Sequence, residues 1–320
     1  MKKYELTNES KECFGRKLFR IKALISFGNV KEGELGGWIE KEENLSHSGN
    51  AWISGDAMAY ENAQVYENAR VCNNALIHGK AQIYGNAMVS GSAKVHGNAS
   101  IHEDAWVQDN ALVFCNARIY GDAEISGYAE IYGDALIYEK AWVRNNAQVG
   151  GKAQVYGNAR IYDNAQICGN TRISGYAQVS GNALICNYGR VCDDARVRDN
   201  AAIYENAWIY GNAIVCDCAT VQEEAQVCDD AWISGKARIC GKAKISGDTD
   251  YIVIGPMGSR SAHTTFYHRA DGETMVVCGC FHDTLDAFEK RVAKVHGNNR
   301  YGKAYMAAIE FVRKVINTAE

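Results

Sequence analysis

From Ala51 to Asp248 the chain repeats every six residues, 33 times, with no residue inserted or deleted. Each hexad follows the pattern A-x-[IV]-x-[GDEN]-[ND]. The first position is Ala in 31 hexads, with Thr171 and Gly189 as exceptions, and the third is Ile or Val in 32, with Ala59 as the exception. An amphipathic helix cannot hold a six-residue period, because its stripes recur at 3.6. Alternation inside the hexad predicts a short strand, with positions one and three facing inward and two and four outward. Gly, Asn and Asp at positions five and six permit the positive φ of a corner. Short strands joined by short corners at constant spacing predict a parallel β-solenoid. A single proline, Pro256, and 31 glycines fit the same regular architecture.

The ends of the chain follow other patterns. Residues 1–50 contain FRIKAL and FGNVKEGELGGWIEKEENLS, strand-like segments that run into a degenerate hexad at Leu45. They predict an N-terminal β cap over the exposed edge of the first coil. After Asp248, DYIVIG, TTFYHRA and GETMVVCGCF read as strands, with a turn at Asp271-Gly272. Thr284 is placed to cap a helix with Leu285, Phe288, Val292 and Val295 on one face, ending at Gly297. A second helix from about Arg300 would bury Tyr301, Tyr305, Ile309, Val312 and Ile316. The expected domains are therefore a cap at 1–50, a β-helix at 51–248 and an α+β domain at 249–320.

Hexads such as IYGNA and ISGYAE resemble the hexapeptide repeat of left-handed parallel β-helices, where three hexads form one triangular coil. That resemblance implies an all-β parallel β-solenoid: a left-handed β-helix of about eleven triangular coils, with an N-terminal cap and a small C-terminal α+β domain. The whole chain is similar to hexapeptide-repeat proteins of bacteria and phages often labelled acyltransferases. The likeness rests on FGNVKEGELGGWIEKEENLS before the repeats and GSR…TTFY…VCGCF…VHGNN after them. Hexapeptide acyltransferases are usually trimers that bind CoA between neighbouring prisms and use a His as general base. On that reading acetyl-CoA is the cofactor, and His78, His96 and His102, all at outward position four, are the candidate bases. His78 and His96 are three hexads apart and stack on one face, with His102 on the next. Against this, no loop interrupts the repeat to wall off an acceptor pocket, and the plain reading of the three His is surface filler.

The 320 residues carry a formal net charge of −4, with 47% hydrophobic and 22% charged residues. That balance argues against a charge-driven nucleic-acid or membrane partner. No run approaches the ~18 apolar residues of a spanning helix. The opening MKKYELTNESKECFG has no apolar stretch of signal-peptide type, so a cytoplasmic location is expected. In that compartment the twelve cysteines read as mostly free thiols.

Sorting outward residues by coil separates the three faces. One carries Tyr66, Tyr84, His102, Tyr120, Tyr138 and Tyr156 at position four, with Tyr210 further along. The corner beyond it holds ten acids, among them Glu67, Glu103, Asp193, Asp194, Asp229 and Asp230, against the single base Lys140. Tyrosines beside an acidic ridge could receive a basic partner, although Tyr suits strands and Asp suits corners. A second face carries Trp52, Arg70, Met88, Trp106, Trp142, Arg160, Arg196 and Trp232 at position two, and Trp and Arg are typical of interface hot spots. Cysteines at position four, such as Cys72, Cys216, Cys228 and Cys240, read as neutral surface choices. In the tail, Cys278, Cys280 and His282 alternate along one predicted strand, a weak metal candidate that His263 or His296 could complete. Arg260, flanked by Ser259 and Ser261, is the tail's other ligand candidate.

The function expected from these features is a non-enzymatic, cofactor-free scaffold that occludes a macromolecular partner by protein–protein contact or by mimicking nucleic acid, with a protein partner expected before a nucleic acid. A phage or prophage inhibitor of a host complex is one subtype, homo-oligomerisation is expected, and no membrane is involved. The alternative is a trimeric CoA-dependent acyltransferase.

Overall fold

The computed structural model describes residues 2–269 and 271–316. The chain packs as two compact units, residues 1–169 and 170–320. Its repeats form a parallel β-solenoid of about 12 turns.

In the first unit, β1 (Tyr4–Cys13) and β2 (Arg16–Ala23) form an antiparallel hairpin. Its turn is Phe14-Gly15, both at positive φ. β2 pairs antiparallel with β3 (Leu35–Ile39), and β3 then pairs in parallel with Met58–Ala59 of the repeat. Leu45 bridges in parallel to Val65. The segment before the hexads thus supplies part of one further turn, which is why the count exceeds the eleven coils expected from the hexads alone. The Gly36-Gly37 pair lets β3 approach so closely: a Cβ on Gly36 would lie 2.6 Å from Trp52 Cζ2, and one on Gly37 2.5 Å from the Ala57 carbonyl oxygen. Asn44 is buried and donates from Nδ2 to the carbonyls of Ala63 (2.8 Å) and Glu61 (3.1 Å). The Tyr4 hydroxyl donates to the Leu45 carbonyl at 2.7 Å.

Within each hexad only positions two and three form the strand, as in Met88–Val89 and Trp106–Val107. Within each unit, strands three hexads apart pair in register, with Met88 opposite Trp106 and Val89 opposite Val107 in the first and Arg196 opposite Ile214 in the second. The Ala and Ile/Val columns are fully buried, so positions one and three face inward as the alternation predicts. Position five takes positive φ along the repeat except at Gly247 in the last hexad, even where it is an acid such as Glu67 (57°) or Glu103 (58°). A side chain in that region carries strain, and here a hydrogen bond to the neighbouring coil compensates it. The carboxylates of Glu61, Glu67, Glu103 and Glu139 accept from the backbone N–H of Gly79, Gly85, Gly121 and Gly157 at 2.7–2.8 Å. At position six, amides run in rows: Asn50 donates to Asn68, Asn68 to Asn86, and Asn86 to Asp104, at 3.0–3.1 Å.

The second unit continues the pattern. Asp193, Asp217 and Glu223 accept from the N–H of Gly211, Gly235 and Gly241. After the last hexad, Tyr251–Met257, Ala262–His268, Thr274–Cys278 and Phe281–Thr284 form a four-stranded antiparallel sheet in chain order. Two helices pack on it, α1 (Leu285–His296) and α2 (Arg300–Val315), around Phe266, Val276, Phe288, Val292, Ile309 and Val312. Thr284 caps α1, accepting from the Ala287 N–H, and Gly297 ends it. The tail covers the end of the solenoid: the Arg238 N–H donates to Thr265 Oγ1 (3.0 Å) and the Tyr251 hydroxyl to the Trp232 carbonyl (2.9 Å).

Three local expectations change. VVCGCF is two strands of a hairpin that turns at Gly279-Cys280, with Cys278 opposite Phe281. Val295 is exposed, and Tyr301 is only half-buried.

The close approach at Gly37 gives a direct test. Gly37→Ala should destabilise the protein by about 1–3 kcal/mol, the usual range for overpacking, because backbone rather than a flexible side chain blocks the new Cβ. Gly247→Ala, whose Cβ meets nothing within 4 Å, should be close to neutral. Denaturant midpoints of the two variants check this.

Candidate functional site

The aromatic column of the first unit is a continuous stack. Ring centroids of Tyr66, Tyr84, His102, Tyr120, Tyr138 and Tyr156 follow one another at 4.7–5.1 Å, within 11° of parallel. The in-register pairing places side chains three hexads apart directly over one another, and flat rings fill that spacing. A second stack lies on the neighbouring face, where the expected His78–His96 pair is extended by Tyr60, Phe114 and Tyr132 at 4.8–5.5 Å. It ends at Gly150, which has no ring to add, and the Tyr132 ring lies over that glycine where a Cβ would collide with it. The same three-hexad spacing that exposed the first stack in the sequence was available for this one.

The three candidate histidines are therefore members of ring stacks. His78 Nδ1 lies 3.8 Å from a Glu61 carboxylate oxygen and His102 Nδ1 3.7 Å from Glu103. Burial lowers the pKa of all three; Glu61 and Glu103 oppose the shift at His78 and His102, while His78 and Lys94 add to it at His96.

The acidic corner is largely committed to the fold. Glu67, Glu103, Glu139 and Asp193 hold backbone N–H groups of the next coil, and Asp104 and Asp230 accept from Asn86 and Asn212. Asp229 faces the Cys228 thiol at 3.3 Å, and Asp194 stands exposed beside Asp193.

On the Trp/Arg face of the first unit, pairing aligns Trp52, Arg70, Met88, Trp106, Glu124, Trp142 and Arg160 in one column. Trp106 is 50% exposed and Trp142 38%. The Arg160 guanidinium lies over the Trp142 ring at 5.1 Å. Trp52 does not belong to this surface: it is 5% exposed, packed edge-on against Phe27 and Tyr4 of the cap. Its position in the hexad is outward, but the cap covers the first coil there. In the second unit the column runs Gln178, Arg196, Ile214, Trp232, with Trp232 48% exposed.

Cys216, Cys228 and Cys240 are not surface choices. Each is only 1–2% exposed. The Trp232 indole N–H donates to Cys216 Sγ at 3.0 Å, and Tyr267 closes over Cys240. The weak metal candidate Cys278, Cys280 and His282 is not brought together, because the chain turns at Gly279 between two paired strands. Cys278 instead bonds with Thr264 (3.3 Å) and approaches the Tyr305 hydroxyl (3.6 Å). Cys280 is exposed at the turn. His282 meets Cys240 and Tyr267.

The tail has a pocket of about 250 Å³ at which GSR, VCGCF and VH converge: Ser259, Arg260, Cys278, Phe281, Arg291 and His296 line it. Arg260 thus sits at a concavity, as its selection as a ligand candidate requires. No helix among the described residues is long and apolar enough to cross a membrane.

A family model described as YdcK beta solenoid repeat matches residues 63–79, 81–97, 153–165 and 165–181. No curated protein matches the chain. Among solved structures, the chain is similar to a UDP-N-acetylglucosamine acyltransferase of Francisella novicida, at 14% identity over 81% of this chain and 88% of that one, TM-score 0.24. It is similar to LpxA of Acinetobacter baumannii at 10% identity, 78% and 94% coverage, TM-score 0.30. A Campylobacter jejuni UDP-N-acetylglucosamine acyltransferase gives 14%, 82%, 93% and 0.27. Likeness at these identities bears on the fold alone.

The stacked histidines predict a pH dependence. Their folded pKa values lie below the ordinary unfolded value, near 6.5, so the unfolded chain takes up protons first as pH falls. Stability should be intact above about pH 6.5 and fall as pH drops through the folded values. Replacing His78 and His96 by Phe and His102 by Tyr keeps the stacks and should reduce the loss of melting temperature between pH 7.5 and 5.5. Equal losses in the two proteins would show that the stacked imidazoles do not set the acid response.

Proposed function

We propose that this chain is a binding scaffold whose first unit presents rigid side-chain ladders to a macromolecular partner, with a protein favoured over nucleic acid. The observation that carries the reading is the combination of exposed Trp106 and Trp142 in one in-register column, with Arg160 held over Trp142. These residue types dominate interface energetics, and side chains fixed by stacking lose little freedom on docking. The Tyr stack on the neighbouring face extends the same rigid surface. The acidic corner is a weaker contributor than the sequence suggested, since Glu67, Glu103, Glu139 and Asp193 hold backbone N–H groups and Asp104 and Asp230 accept from neighbouring amides. The narrower idea of a phage inhibitor gains no support from the fold or the comparisons.

A trimeric CoA-dependent acyltransferase is the second reading. The His78–Glu61 and His102–Glu103 approaches favour it, because a general base is commonly oriented by a carboxylate. Acyltransferase is also the activity named for the similar solved structures. Each imidazole is, however, enclosed between rings of adjacent coils. The hexads also run without an insertion that could shape an acceptor pocket.

Native mass spectrometry of the protein purified gently from a bacterial lysate, with and without acetyl-CoA, separates the readings. The scaffold predicts no CoA adduct and a specific complex, or a self-complex, lost in Trp106→Ala/Trp142→Ala while the melting temperature is kept. A CoA-bearing trimer whose acyl transfer disappears when His78, His96 and His102 are replaced would overturn the scaffold in favour of the enzyme.

A further inference from the structure

In the second unit, residues from three distant stretches of sequence meet where the tail covers the last coils. Cys240 Sγ, His282 Nε2 and the Tyr267 hydroxyl oxygen form a triangle with sides of 3.4 Å (S–N), 2.9 Å (N–O) and 3.3 Å (S–O). The Tyr267 O–H is also within donating distance of the Cys240 carbonyl at 3.0 Å. Glu223 approaches from the corner, Oε1 4.0 Å from His282 Nδ1, while its Oε2 accepts from the Gly241 N–H at 2.8 Å. One donor atom from each of Glu223, Cys240 and His282 lies within 4.8 Å of the others.

A tetrahedral zinc ion with bonds of about 2.0–2.3 Å holds its ligand atoms roughly 3.3–3.8 Å apart. The sulfur–nitrogen separation already falls in that range, and a carboxylate oxygen of Glu223 lies within 4.8 Å of the other two donors. Thiolate with imidazole and one carboxylate is a borderline-soft donor set, which suits zinc and departs from the all-oxygen preference of magnesium or calcium. Gly241 leaves room beside the donors, since a Cβ there would lie 3.6 Å from His282 Nε2 and 3.9 Å from Glu223 Oε2. A cleft of about 480 Å³, lined by Cys240 and His282 together with Lys242, Tyr267 and Arg269, provides an entry path.

The other cluster of similar composition, Asp199, Cys216 and Asp217, lacks an imidazole. Its thiol accepts from the Trp232 indole, and both carboxylates hold backbone N–H groups of the following coil. We propose that Glu223, Cys240 and His282 bind one zinc-class divalent ion, with a further coordination position facing the cleft.

The test uses the reduced full-length chain with Zn²⁺ and Co²⁺ as probes. Native mass spectrometry should count one zinc more on the unaltered chain than on Cys240→Ser or His282→Ala. Cobalt should give a thiolate-to-metal charge-transfer band that disappears in Cys240→Ser and persists in Cys216→Ser and in Cys278→Ser/Cys280→Ser. Glu223→Gln keeps an oxygen for the Gly241 N–H and should weaken zinc binding at least tenfold without unfolding the chain, which circular dichroism verifies. A cobalt band unchanged in Cys240→Ser, or equal zinc counts in all variants, would leave the cluster as a thiol–imidazole–phenol hydrogen-bond network and overturn the site.

Discussion

Strands in the repeat are only two residues long, far too short to be stable singly, and what holds them is in-register pairing with the strand three hexads on. Parallel pairing at about 4.8 Å fixes not only the backbone bonds but also the neighbour of every outward side chain. Rows therefore form where the sequence repeats a residue type at this spacing: ring on ring, amide on amide, and carboxylate on the glycine N–H of the next corner. These rows are consequences of the backbone register, and each returns some stability to it. The narrow core of Ala with Ile or Val follows from the same geometry, since nothing larger than a branched side chain fits in column after column.

That constraint also sorts what the sequence could and could not reveal. A hexad pattern with no insertion discloses strand, corner, inward face and register, and the structure agrees at each of these levels. The Tyr66-to-Tyr156 stack was legible as a column, as was the alignment of Trp106 with Trp142. Trp52 was misread because hexad position reports direction from the axis, not what lies beyond; a cap built from the segment before the hexads covers it. The buried cysteines were misread for a related reason. Trp232 and Tyr267 are large enough to fold across adjacent positions, and a six-residue period carries no record of that.

Outside the repeat the sequence speaks less clearly. Cys278, Cys280 and His282 look like one alternating strand until Gly279 turns the chain, which places Cys278 in the tail core and His282 against the solenoid. Cys240 and His282 are separated by 42 residues and Glu223 belongs to yet another coil. Only docking of the tail on the last turns could bring them together, and no local pattern encodes docking. Conversely, the one-signed corner looked like a partner surface because charge is visible in sequence, whereas the backbone N–H groups that use those carboxylates are not.

The amide rows have a direction. Asp104 can only accept, so Asn86 must turn its NH₂ toward it; Asn86 then offers its carbonyl to Asn68, and Asn68 offers its own to Asn50. Reversing any one amide would set donor against donor on one side and acceptor against acceptor on the other. The row from Asn98 through Asn116 to Asp134 has the same sense. Each row is thus a single polarised unit in which the terminal carboxylate dictates the orientation of every amide before it, and the bonds strengthen one another along its length. An aspartate at a corner is in this respect a punctuation mark: it sets where a row of aligned dipoles ends and which way the whole row points.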